Sequence, residues 1–122
     1  METRDGPPRF DLEERTFQFA KQIRHFIKQL PRTICNEVDV RQLARSSGSI
    51  GANYLEANGS LGQKDFRYRL RISRKEAKET RYWLRLVDTR GDLALETERE
   101  RLAQECQELI HIVGAILRKS ES

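Results

Sequence analysis

An all-α fold, an antiparallel up-down-up-down four-helix bundle, is predicted by three observations on this 122-residue chain. Apolar residues recur at steps of three and four in four separate segments, as amphipathic helices require. No stretch alternates apolar and polar residues with period two, and Val and Ile are too sparse for a sheet. Proline and glycine fall between the segments, and the connections are short enough for antiparallel neighbours. Hydrophobic residues make up 37% and charged residues 34%, a balance that suits helices with one apolar stripe each. A chain of this size buries roughly two-thirds of its surface on folding, enough for one core without staples. The domain is expected over residues 11–118, after a flexible segment at 1–10 and before a short tail at 119–122.

The first helix is expected from Asp11 to Leu30. Asp11 and Glu14 resemble a capping box. Leu12, Phe19, Ala20, Ile23, Phe26, Ile27 and Leu30 form its stripe, and Pro31 stops it. The second is expected from Asn36 or Asp39 to Ala57, with a stripe of Val40, Leu43, Ala44, Ser47, Ile50, Gly51, Tyr54 and Leu55. Its small residues, Ser46-Ser47-Gly48-Ser49 and Gly51-Ala52, would let a neighbouring helix approach closely. They do not match a phosphate-binding loop, because the glycine–lysine spacing and a preceding strand are both missing. Asn58-Gly59 suits a left-handed cap.

The third helix is expected from Gln63 to Val87. Phe66, Leu70, Ser73, Ala77, Thr80, Leu84 and Val87 repeat as a heptad-like seam. The fourth is expected from Glu98 to Leu117, opened by a Thr97–Glu100 capping box. Its stripe is Leu102, Cys106, Leu109, Val113, Ile116 and Leu117.

The formal net charge of +4 is unevenly spread. Residues 63–87 hold nine basic and three acidic side chains, so they carry +6 and the remainder carries −2. On a wheel with Phe66 at zero, Lys64, Arg67, Arg71, Arg74, Lys75, Lys78, Arg81 and Arg85 span about 60° to 180°. This basic stripe is about 30 Å long. Charge runs are commonly solvated helix faces. A row of like charges nevertheless repels itself unless an anion meets it, and nucleic-acid phosphate is one such anion. Acidic groups of another subunit are a second, for instance Glu96, Glu98, Glu100, Glu105 and Glu108. The residues alone leave both open. Tyr68, Ile72, Trp83 and Leu86 lie on the remaining arc with Glu76 and Glu79. With Phe17 they suggest a subunit interface; the plainer alternative is that Trp83 and Ile72 widen the core stripe.

No catalytic or metal constellation is apparent. His25 and His111 lie opposite their helices' stripes with no partner at ligand spacing. Cys106 reads as a small core residue, and Cys35 is too distant in sequence to form a ligand pair with it. No apolar run approaches a membrane span, and no signal-like segment opens the chain. A reduced, cytoplasmic, non-enzymatic protein without cofactor or metal is the expectation.

The run Ser49-Ile50-Gly51-Ala52-Asn53-Tyr54-Leu55-Glu56-Ala57-Asn58 carries a resemblance. With Lys64-Asp65-Phe66, Lys75-Glu76-Ala77-Lys78-Glu79-Thr80 and Tyr82-Trp83-Leu84-Arg85-Leu86, it resembles the bacterial 23S rRNA intervening-sequence proteins over about residues 12 to 118. That family includes the accessory variability determinant of diversity-generating retroelements. The resemblance implies a ring-like homopentamer of four-helix bundles and a positively charged surface for RNA or DNA. It also implies a reverse transcriptase or another protein as a possible partner class, and Asn53 and Glu56 as polar links. Arg74-Lys75 departs from a common Gly-Ser pair and strengthens the basic stripe. The expectation is therefore a homo-oligomer that binds nucleic acid with little sequence preference through Arg67, Arg71, Arg74, Lys75, Lys78, Arg81 and Arg85. The alternative is a scaffold whose basic stripe pairs with acidic protein surfaces.

Overall fold

The computed structural model describes residues 9–121. They form four helices, with no strand among the described residues: α1 (Arg9–Gln29), α2 (Ile34–Asn58), α3 (Gln63–Leu86) and α4 (Leu93–Glu121). Each helix packs against two others: α1 and α3 each contact both α2 and α4. Phe19, Ile23 and Phe26 of α1, Leu43 and Ile50 of α2, Leu70 and Leu84 of α3, and Leu102, Leu109 and Val113 of α4 are all buried in one core.

The helix ends differ from expectation for local reasons. Thr33 caps α2: its hydroxyl accepts the Asn36 N–H at 3.0 Å, so the helix begins at Ile34. Asp92 caps α4 by accepting the Leu95 N–H at 3.0 Å. Thr97 and Glu100 therefore lie inside α4 rather than opening it. Likewise α1 starts at Arg9, ahead of the Asp11–Glu14 pair. Of the expected flexible segment, residues 9 and 10 are helical and 1–8 lie outside the described residues. The expected tail is helical to Glu121, because Arg67 holds the Ser120 carbonyl and Arg71 the Glu121 carboxylate. Gly59 ends α2 at φ −94°, not in the left-handed region. That region is occupied instead between α3 and α4, by Arg90 (φ 55°) and Gly91 (φ 74°).

Small residues set the spacing of α2 from its neighbours. A Cβ on Gly51 would lie 2.7 Å from Thr16 Oγ1 and 3.1 Å from Thr16 Cβ, so α1 and α2 meet closely there. Toward α3, the Ser73 hydroxyl donates to the Ile50 carbonyl at 2.8 Å, and the buried Thr80 hydroxyl donates to Ser46 Oγ at 2.7 Å. Leu55 departs from the expected stripe. It is 55% exposed, and Ala57 takes the buried place in that turn.

Asn36 ties two connections together. Its buried amide donates to the carbonyls of Pro31 (3.0 Å) and Asp88 (2.9 Å), and its carbonyl accepts the Asp88 N–H at 2.9 Å. The link after α1 and the link after α3 are thereby held side by side, with their backbone groups satisfied.

Candidate functional site

The rotation of α3 decides what each basic side chain does. Its seam faces the core, Ser73 and Thr80 meet α2, and Ala77 meets α4 through Cys106, whose thiol donates to the Ala77 carbonyl at 3.0 Å. Arg67 and Arg74 lie over α4. Arg67 donates to the Ser120 carbonyl at 3.3 Å, and Arg74 Cδ would sit 3.7 Å from a Cβ on Gly114. Arg71 pairs with Glu121 at 2.5 Å, and Lys75 reaches Glu79 at 3.7 Å. Lys78, Arg81 and Arg85 are exposed. With Arg74, they form no ion pair among the described residues.

Glu121 and Glu79 meet the stripe, and most other acidic side chains of α3 and α4 pair with arginines outside it. Arg15 of α1 forks onto Glu105 at 2.6 and 2.8 Å and reaches Glu108 at 2.6 Å. Arg99 pairs with Glu96 at 2.5 Å, and Arg101 with Glu98 at 2.6 Å. On α3, buried Glu76 and half-buried Glu79 both accept from Arg45 of α2 at 3.1 Å. The titration follows this pairing. The Arg15 guanidinium holds Glu108 below the usual carboxylate range, as Arg101 does for Glu98. Glu96 is lowered first by the Thr89 hydroxyl and then by Arg99. Arg15 itself is raised, first by its bond to Glu105. Of the five α4 glutamates expected to be available to another subunit, only Glu100 makes no ion pair among the described residues.

The expected interface residues do not form one patch. Trp83 is half-buried against the core, and its Nε1 has no hydrogen-bond partner among the described residues. Ile72 is half-buried as well, while Tyr68 and Leu86 are 56% and 49% exposed on α3. Phe17 belongs to a different surface, the rim of an open α1–α2 groove of about 770 Å³. Its walls include Ala20, Gly51, Ala52 and Leu55. Wheel reasoning on single helices does not reveal this groove, since it depends on how two helices roll against each other.

Asn53 is a polar link. Its amide donates to Ser49 O at 2.9 Å, and its Oδ1 accepts from Arg69 of α3 at 3.3 Å. The Arg69 guanidinium lies over the Tyr68 ring, 5.8 Å from its centroid. Glu56 is exposed and contributes its backbone carbonyl to Ser60. Tyr82, at a wheel angle of about 160°, also lies inside the basic arc. It is 54% exposed and touches Trp83 edge-on, with ring centroids 5.2 Å apart.

Among the described residues, no group of three or more His, Cys, Asp or Glu is placed to hold a metal ion. His25 and His111 are exposed. Burial pushes the Cys106 thiol up to about 12, far from the reactive range. No helix is long and apolar enough to cross a membrane.

The family model described as 23S rRNA-intervening sequence protein matches residues 9–115. Among solved structures, the chain is similar to a protein with unknown function from the S23 ribosomal protein family of Bacteroides thetaiotaomicron VPI-5482. The two share 29% sequence identity with a TM-score of 0.74, over 87% of this chain and 97% of that one. No curated protein matches the chain.

Proposed function

The chain belongs to the 23S rRNA-intervening sequence protein family, and from that premise we propose that it is a non-enzymatic, cytoplasmic nucleic-acid-binding module. In this reading α3 contacts phosphates of RNA or DNA with little regard to sequence. The observation that carries it is the division of charge. Arg74, Lys78, Arg81 and Arg85 have no ion-pair partner among the described residues, whereas most α4 glutamates are already held by arginines of α1 and α4. The alternative, trans pairing of the stripe with a neighbour's acidic α4, would have to break those pairs. The non-enzymatic reading is supported by the burial of the Cys106 thiol and by the separation of the two histidines, His25 on α1 and His111 on α4.

Self-association into a ring-like homopentamer of antiparallel bundles belongs to the same proposal, as does kinship with the retroelement determinants and their protein partners. The antiparallel order is supported by contacts whose numbers rise on one helix and fall on the next: Glu13 meets Asn58 and Arg24 meets Ala44, while Arg45 meets Glu76 and Asn53 meets Arg69. Self-association is supported by the apolar side chains left exposed at Phe17, Leu55 and Leu86.

A salt titration of binding to mixed oligonucleotides tests the proposal. Four protein cations that neutralise phosphates displace condensed counterions and give a log–log slope of about −3 to −4 per chain. Lys78→Glu with Arg81→Glu should abolish binding and leave the helical content unchanged. Binding that is absent at low salt, or indifferent to salt, overturns the reading. Loss of oligomer mass in light scattering, with oligonucleotide affinity intact, would favour the scaffold instead.

A further inference from the structure

Two tyrosines share the solvent face of α3 with its cations. Tyr68 is 56% and Tyr82 54% exposed. On the wheel they lie at about 200° and 160°, on either side of Lys75 at about 180°. Arg71, Lys75 and Lys78 stand between them along the helix, and all three are exposed; Arg71 pairs with Glu121 and Lys75 with Glu79, while Lys78 has no ion-pair partner among the described residues. Two half-exposed phenol rings therefore lie within one row of ammonium and guanidinium groups. Cations that track a backbone, combined with rings that accept a base, are how proteins hold single strands. A duplex keeps its bases stacked on one another and offers such rings nothing.

Tyr68 is also prepared from behind. Arg69 lies over its ring, and Asn53 accepts from that guanidinium at 3.3 Å while anchored to Ser49 on α2. Arg69 therefore covers one face of the phenol, and a base stacking on the other would complete a sandwich. Tyr82 is braced edge-on by Trp83. The 14-residue separation amounts to about 21 Å of helix rise, or about six nucleotides at the 3.4 Å spacing of a stacked strand.

We propose that the outer face of α3 is a single-strand site: Tyr68 and Tyr82 each stack one base, Lys78 holds phosphate between them, Arg71 and Lys75 join it as phosphate displaces Glu121 and Glu79, and Asn53 positions Arg69 against Tyr68. The inference rests on α3 being a phosphate-binding face and narrows its ligand to unpaired polynucleotide.

Fluorescence anisotropy with the full chain tests it. The probes are a dT12 strand, an rU12 strand, a 12-nucleotide abasic strand and a mixed-sequence duplex with the same number of phosphates. Both tyrosines are exposed, and far-UV circular dichroism checks that the variants stay folded. The expected result is tighter binding of dT12 or rU12 than of duplex and abasic strand. Tyr82→Ala and Tyr68→Ala should each weaken the single strand about tenfold, within the range for one stacked base, and leave the abasic strand unchanged. Tyr82→Phe should bind like the unsubstituted protein. Asn53→Ala should weaken dT12 or rU12 alone and add nothing to Tyr68→Ala. The rU12 and dT12 arms tell an RNA ligand from a DNA one. Equal affinity for all four probes, with silent tyrosine variants and a Lys78→Glu variant that releases them, overturns stacking and leaves the phosphate reading intact. No binding of any probe at low salt overturns both.

Discussion

Replacing Gly51 with alanine isolates the close approach of α1 and α2. In an open helix the change stabilises by about 1 kcal/mol, because alanine loses less backbone freedom on folding. Here the new methyl lands 2.7 Å from Thr16 Oγ1 and 3.1 Å from Thr16 Cβ. Thr16 has little room to yield. It is buried and β-branched, and its hydroxyl is bonded to the Leu12 carbonyl at 2.8 Å. Overpacking of this kind costs roughly 1–3 kcal/mol, which leaves a net loss of about 1 kcal/mol once the helix gain is subtracted. Gly48 provides the contrast one turn earlier. A Cβ there meets nothing nearer than Arg24 Nη2 at 3.5 Å, the far end of a flexible side chain. Gly48→Ala should therefore gain up to about 1 kcal/mol. Both variants restrict the unfolded chain alike, so their difference of about 2 kcal/mol reports the folded state. At roughly 4 °C per kcal/mol for a chain of this size, the melting temperatures should stand about 8 °C apart. Urea unfolding at one protein concentration gives the same comparison as a free energy. A Gly51→Ala protein as stable as Gly48→Ala would refute the tight contact between Gly51 and Thr16.

Other consequences can be measured as directly. Asn36→Ala leaves the Asp88 N–H and two carbonyls without their partner, and should cost about 2–3 kcal/mol in chemical unfolding; an unchanged midpoint would contradict the clasp. Glu96, Glu98 and Glu108 are held below the ordinary value of 4.5, so their stabilisation is present above that pH and is lost as pH falls through the lowered values. Melting temperature should thus be flat near neutrality and drop below about pH 4.5, with a smaller drop in Arg15→Gln and in high salt. A profile flat to pH 3 would count against the pairs. In a thiol-reagent assay at pH 8, exposed Cys35 should react at once and Cys106 only after unfolding; two fast thiols would contradict its burial.

The third helix was the most legible element, with observed bounds one residue from those expected. Its seam repeats cleanly, and Gly62 stands just before its first residue. Its charge stripe was legible for the same reason, since periodicity alone places side chains on an arc. Which charges are already engaged was not legible. Arg45 reaches Glu76 and Glu79 across 31 and 34 residues, and no local spacing rule records that. The Thr97–Glu100 motif misled because Asp92 sits at the chain reversal and takes the cap first. Leu55 misled because Ala57 and Tyr54 fill the core at that level of α2. The α1–α2 groove, and with it the setting of Phe17, depends on the relative roll of two helices.

The pairing of the α4 glutamates with Arg15, Arg99 and Arg101 also shapes the molecule's field at a distance. The Arg99–Glu96 and Arg101–Glu98 pairs are nearly silent beyond a Debye length, about 8 Å at physiological salt, and the Arg15 cluster keeps one net negative charge from its two glutamates. What remains on α3 is a run of cations without ion-pair partners among the described residues, Arg74, Lys78, Arg81 and Arg85, which an approaching polyanion meets as one positive patch. The field turns the molecule before the surfaces touch, which raises the rate of encounter more than it lengthens the stay. Neutralising Lys78 or Arg85 should therefore slow arrival, whereas losing Tyr82 should hasten departure.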